Sequence, residues 1–120
     1  MASLEATATL YDTGDRIRVS STASVTTTGD FLDRRRIEVG TSEESIAIIS
    51  DITGGEGAGW CFIKNEDATN YVQVGIATTS YFAVLAAGDA LLVPLDAGVT
   101  DVYLKANTAA CNVTIDIRER

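Results

Sequence analysis

Along Cys111 to Arg118 the side chains alternate without a break: Val113, Ile115 and Ile117 on one side, Asn112, Thr114, Asp116 and Arg118 on the other. Wound into a helix, these residues would be scattered around the axis. In an extended strand, where successive side chains point to opposite faces, they form one apolar and one polar face. Period-two patterning recurs through the chain, and no stretch carries a convincing 3.6-residue repeat. The strands it predicts are Arg16 to Val25, Leu32 to Val39, Ser45 to Ser50, Trp60 to Asn65, Asn70 to Ile76, Tyr81 to Ala86, Ala90 to Pro94, Val102 to Ala106 and Cys111 to Arg118. Short strands roughly ten residues apart predict an all-β chain, a single antiparallel β-sandwich of jelly-roll type with about eight to ten strands.

The punctuation agrees. TTGD, TGGEGAG, AAGD and LDAGVTD carry the Gly and Asp that turns require, and the only proline, Pro94, ends a strand. The longest break, Asp51 to Gly59, is rich in Gly and predicts a flexible loop that could divide an N-terminal extension from a C-terminal body. Neither half would bury enough surface to be secure alone, so residues 1–120 are read as one domain. Residues 1–12 are Thr- and Ala-rich and weakly patterned, which suits an extended arm that gains order by pairing with a neighbouring chain.

Trp60 to Asn65, the polar loop Glu66 to Thr69 and Asn70 to Ile76 read as a hairpin. Trp60, Phe62 and Lys64 point one way, Cys61 and Ile63 the other. Apolar residues on both faces put this strand inside a sheet rather than at its edge. The expected core draws on Ile46, Ile48, Trp60, Phe62, Val72, Val74, Phe82, Val84, Leu92, Leu104, Val113, Ile115 and Ile117.

Charge narrows the partners. A net charge of −8 and no run of Lys would repel a phosphate backbone, so no direct nucleic-acid partner is expected. No apolar run approaches the ~20 residues that span a bilayer, so no membrane partner is expected. The start, MASLEATATLYD, lacks the basic and apolar regions of a signal peptide, which predicts a product made and retained in the cytosol until another process releases it. Cys61 and Cys111 are the only cysteines, and both lie in apolar, strand-like sequence. Two reduced core thiols are expected, with a disulfide as the alternative.

The chain contains no histidine, which removes His-dependent triads, His bases and His metal ligands together. Neither cysteine has a basic sequence neighbour to lower its pKa. Glu66 and Asp67, flanked by Asn65, Thr69 and Asn70, could offer hard oxygens to calcium, but they match no EF-hand spacing, and a solvated hairpin tip explains them with no ligand at all. Glu43 and Glu44 are adjacent on a strand and face opposite ways, so they cannot flank one glycosidic bond. GGEGAGW lacks the spacing and the Lys-Ser/Thr ending of a phosphate loop. Asn112-Val113-Thr114 falls inside a predicted strand and reads as a chance glycosylation match. No enzyme, cofactor or metal site is expected.

DRRRIEVG is the one local departure from the acidic background. With Ile37 and Val39 facing the core, Arg34, Arg36 and Glu38 face outward and Arg35 inward. The outward arginines either pair with the chain's own carboxylates or contact a partner, and Arg34 and Arg36 are the candidate partner contacts.

From Trp60 onward the order is W-C-F-I-K-N, an acidic loop, T-N-Y-V-Q-V-G, then Y-F-A-V-L-A-A-G-D-A-L-L-V-P-L and V-Y-L-K-A-N-T-A-A-C-N-V-T-I-D. This half of the chain resembles the C-terminal half of small virion structural proteins of tailed bacteriophages. There, "aromatic-x-I-K-N" leads to "T-N-x-V-x-V", then "L-x-A-G-E/D" and "Y-x-K-A". The resemblance implies a phage-particle component, most like a capsid decoration or cement protein. Such a protein would be assembled in host cytoplasm and sit as a homotrimer on the capsid surface, clamping neighbouring subunits of the major capsid protein. A neck, tail-tube or fibre-associated subunit would share the small, β-rich, acidic character. A carbohydrate-binding module is a third class, disfavoured because the only Trp and most Tyr and Phe residues lie in strands that need them for a core.

Overall fold

The computed structural model describes residues 2–12, 14, 17–27, 29 and 31–120, with the side chains of residues 5–10 and 22 in the first two strands. Strands β1 (Ala2–Asp12) and β2 (Ile17–Thr27) come first, then β3 (Leu32–Val39) and β4 (Glu44–Ala47), and one helical turn, α1 (Ser50–Thr53). There follow β5 (Ala58–Asn65), β6 (Val72–Gly75), β7 (Ala83–Leu85), β8 (Ala90–Pro94), β9 (Asp101–Ala106) and β10 (Cys111–Glu119). Met1 and Arg16, which open the expected arm and the first expected strand, lie outside the described residues.

The pairing is nested. β3 pairs with β10, β4 with β9, β5 with β8 and β6 with β7, all antiparallel. Successive pairs fall alternately in two sheets, ordered β3-β10-β5-β8 (the first sheet) and β4-β9-β6-β7 (the second). A long hairpin rolled over itself in this way is a jelly roll, so the all-β sandwich that the alternation predicts is the fold observed.

Strand β10 is the axis of the first sheet. Its Cys111, Val113, Ile115 and Ile117 are wholly buried and meet Val72, Val74, Val102 and Leu104 of the second sheet in one core. Each aliphatic side chain so buried contributes about 1.5–3 kcal/mol. Ile48, expected in the core, is buried too, and Ile46 packs half-buried against it.

Register then overturns part of the expected core. Residues directly opposite across a ladder share a face, and β10 sets Ile115 against Ile63, Ile117 against Cys61, Asp116 against Phe62 and Arg118 against Trp60. The inward row of β5 is therefore Cys61, Ile63 and Asn65, while Trp60 and Phe62 lie on the outer, polar side of β10. Leu92 sits opposite Phe62 on that same outer face. Val84, opposite half-buried Gln73, is exposed, as is Phe82.

The expected β5–β6 hairpin is also corrected: β5 pairs with β10 and β8, β6 with β9 and β7, so the loop crosses from one sheet to the other. Asn65 makes that corner. Its wholly buried side chain donates from Nδ2 to the carbonyls of Asn70, Leu85 and Ala86 (2.8, 3.0 and 3.2 Å) and accepts the Asp67 amide at 3.0 Å. Asp67 accepts in turn from the amides of Thr69 and Asn70, tightening the loop.

The break at 51–59 is not wholly loop, since α1 seats Ile52 in the core and β5 begins at Ala58. Of the expected arm, Ala2–Asp12 form β1, which pairs with β2 from Ala2 opposite Thr27 to Asp12 opposite Ile17. This hairpin is a two-stranded sheet of its own, a strand of neither layer of the sandwich.

Candidate functional site

The outer face of the first sheet brings charged and aromatic side chains side by side. Two cross-strand rows run over it: Leu32, Arg118, Trp60 and Pro94, and beside it Arg34, Asp116, Phe62 and Leu92. In these two rows the charged residues Arg34, Asp116 and Arg118 come from β3 and β10, and Trp60, Phe62, Leu92 and Pro94 from β5 and β8. Along these rows a charged cluster therefore lies beside an aromatic one.

Asp116 holds the charged cluster together. Arg118 donates to it from Nε (2.8 Å) and Nη2 (3.1 Å), and Arg34 from Nε (2.9 Å) and Nη2 (2.8 Å). Partial burial alone would raise the Asp116 carboxyl, but the hydrogen bonds from Arg118 and Arg34 outweigh it and hold the group below its ordinary range. The same bond to Asp116 raises the Arg118 guanidinium.

The β1–β2 hairpin lies against this face. Glu5, Ala6 and Thr7 form one wall of a half-open cleft of about 240 Å³, whose other walls are Trp60, Phe62, Leu92, Asp116 and Arg118. Ala6 is buried, whereas Glu5 and Thr7, its neighbours on the strand, are exposed.

Of the two arginines that the sequence singles out, Arg34 is engaged by its own chain's Asp116, with its side chain 61% exposed. Arg36 is exposed and, among the described residues, makes no ion pair. Arg35 points inward as expected. It donates to buried Asp33 at 2.9 and 3.0 Å and to the Ala47 carbonyl at 2.7 Å, tying β3 to the opposite sheet.

The remaining motifs resolve into scaffold. The Gly-rich loop does cradle an anion, but the anion is the chain's own. Glu119, 3% exposed, accepts from the amides of Phe31 (3.2 Å) and Glu56 (3.0 Å). A Cβ on Gly29 or Gly55 would stand 1.9 or 2.2 Å from that carboxylate. Glu43 accepts from Thr78 Oγ1, the Thr79 amide and Tyr81 Oη, pinning the β6–β7 turn, while Glu44 turns the other way to the Gly40 amide. The hydrogen bonds from Tyr81 and Thr78 lower the Glu43 carboxyl, and the bond to Glu43 raises the Tyr81 hydroxyl.

Asp67 is lowered by the Asn70 and Thr69 amides that occupy it. Among the described residues no cluster of His, Cys, Asp and Glu is arranged to hold a metal ion. Both cysteines are buried and unpaired. Burial pushes the Cys61 thiol up to about 12, and burial first, then Asp67, raises Cys111 as well. A thiol so protonated is not a nucleophile. Among the described residues no helix is long and apolar enough to cross a membrane.

No protein-family model matches this chain, and no curated protein matches it.

Trp60, Phe62, Leu92, Asp116 and Arg118 are the site residues that sequence reasoning missed. The signal that could have found them is the register with β10, whose polar face lies level with the aromatic side of β5.

Proposed function

We propose that the chain is a structural protein of a phage particle, a decoration or cement protein that assembles as a homotrimer and binds the outer surface of the head against the major capsid protein. The observation that carries it is an apolar flank around β6 and β7. Phe82 and Val84 are 54% and 57% exposed, and Tyr71 and Ile76, at the two ends of β6, are 40% and 47% exposed. Large apolar side chains gathered at one edge of a sheet mark a surface that another protein covers. The hairpin supports the same reading, because a two-stranded ribbon in no larger sheet is marginally stable by itself and leaves its outer strand edges for another chain to pair with. Exposed Arg36 adds a guanidinium that fits a carboxylate across such a boundary.

The mechanism is mechanical. Standard interfaces bury about 1,600 Å², and a protein that binds the assembled shell but not its dissociated parts stabilises the shell by mass action. The chain's mass of 12.7 kDa makes the first test simple: light scattering should give three copies, and a Phe82→Asp/Val84→Asp double variant should dissociate with its β-rich circular dichroism unchanged. A monomeric wild type at all accessible concentrations would overturn the proposal.

A further inference from the structure

We propose that the cleft between the hairpin and the first sheet receives Phe82 and Val84 of a second copy of this chain, so that copies join head to tail. This rests on the self-association in the reading above and names the surface that covers the apolar flank. The cleft is apolar on both sides. Ala6 faces the sheet and is buried, so Glu5 and Thr7 on either side of it face away, with Thr7 Oγ1 already 3.2 Å from Thr22 Oγ1. Opposite Ala6 stand Trp60, Phe62 and Leu92, and because the hairpin offers only a methyl group there, about 240 Å³ is left half-open.

An apolar cavity of roughly 150 Å³ accepts a benzene ring, so the cleft has room for a Phe side chain. Phe82 and Val84, two residues apart on extended backbone, share one face at the free edge of the second sheet, and the Phe82 amide donates to the Val74 carbonyl at 2.9 Å, which holds the pair rigidly. Charge agrees with the fit. At the cleft's rim two guanidiniums, Arg118 and Arg34, meet the one carboxylate of Asp116 and leave a surplus positive charge, with Nη1 of each uncommitted among the described residues. Phe82 and Val84 are instead bracketed by carboxylates: Glu43 accepts from Tyr81 Oη just before them, and Asp89 from the Ala86 amide just after. Flank against flank would set these carboxylates against those of the other copy, in a chain of net charge −8, whereas flank in cleft brings them to Arg34 and Arg118. Two different patches on one chain make a heterologous contact, which closes into a ring where the rotation between copies allows and otherwise runs on as a filament. A ring of three needs a contact of this kind, since a two-fold flank-to-flank contact stops at two copies.

Trp60 lines the cleft and is the chain's only tryptophan, so its emission reports on filling of the cleft. Diluting the full chain through its association range should shift wild-type emission to the red as copies separate, in step with the mass from light scattering. Leu92→Asp and Phe62→Ser should each weaken association about thirtyfold or more while circular dichroism stays β-rich. Phe62→Ser keeps the test decisive if Leu92→Asp misfolds. A Phe82→Asp/Val84→Asp variant keeps a sound cleft and either cleft variant keeps a sound flank, so a mixture of the two kinds, each monomeric alone, should form pairs of one copy each and nothing larger. Wild-type association in the folded cleft variants, a mixture that stays monomeric, or Trp60 emission that does not follow association would each overturn the cleft as the docking site while leaving the assembly reading in place. A wild type that is monomeric at all accessible concentrations would overturn both.

Discussion

Replacing Asn65 with Asp changes one atom's chemistry and almost nothing else. The side chain keeps its volume, so no cavity contribution enters, and it keeps the oxygen that accepts the Asp67 amide at 3.0 Å. What disappears is the Nδ2 group, whose two hydrogens serve the carbonyls of Asn70, Leu85 and Ala86 at 2.8, 3.0 and 3.2 Å. Each buried polar group left unsatisfied costs about 1–3 kcal/mol. With at least two carbonyls stranded, and a carboxylate oxygen set among them in a wholly buried site, Asn65→Asp should lose about 4 kcal/mol at pH 7. That is a large share of the ~5–15 kcal/mol that holds a domain of this kind together. The melting temperature should fall by more than about 10 °C.

The loss should also depend on pH. Burial among carbonyl oxygens raises the new carboxyl's pKa above its unfolded value near 3.9. Protonated, the group regains a donor, so the penalty is smallest below that value and grows as pH rises through the folded pKa. Urea unfolding followed by Trp60 emission, wild type against variant at pH 4 and pH 7, measures both effects. A penalty under about 0.5 kcal/mol at pH 7, or the same penalty at both pH values, would refute the role assigned to Asn65.

Glu119→Gln should destabilise by about 2 kcal/mol, since an amide can accept from only one of the Phe31 and Glu56 donors and presents a donor to the other. Gly55→Ala, whose Cβ would strike the same carboxylate, should be less than additive with it in denaturant titrations. Because hydrogen bonds from Arg118 and Arg34 hold the Asp116 carboxyl below its ordinary 3.8, the stability it contributes is present above that value and lost as pH falls through its lower folded pKa. Acid titrations of wild type against Asp116→Asn should show that the variant lacks this part of the loss. With its thiol pushed up to about 12, Cys61 should resist iodoacetamide in the native protein at pH 8 and react once the chain is unfolded in urea, as mass spectrometry would show.

Most of the strands were legible because alternation is a local property. Leu32–Val39 and Ala90–Pro94 fall where the pattern places them, and β10 differs only by including Glu119. Alternation divides a strand into two faces without saying which is buried. On β5 the bulk of Trp60 and Phe62 suggested one answer, whereas the ladder to β10 imposes the other. A short polar loop likewise fits a hairpin or a corner between sheets, and the choice at 66–71 falls to Asn65, whose partners include Leu85 and Ala86, some twenty residues away. The cleft could not be read in advance, since it exists only where the hairpin meets a face assembled from β5, β8 and β10. Arg34 and Arg36 were placed on the correct face, but that Arg34 is held by Asp116 is long-range information.

The role proposed for this jelly roll is to cover the outside of a phage head. Immunogold labelling of intact particles with antibody against the folded chain tests it most directly. Gold distributed over the head surface is the predicted result; gold confined to the tail, or on no particle, would contradict it.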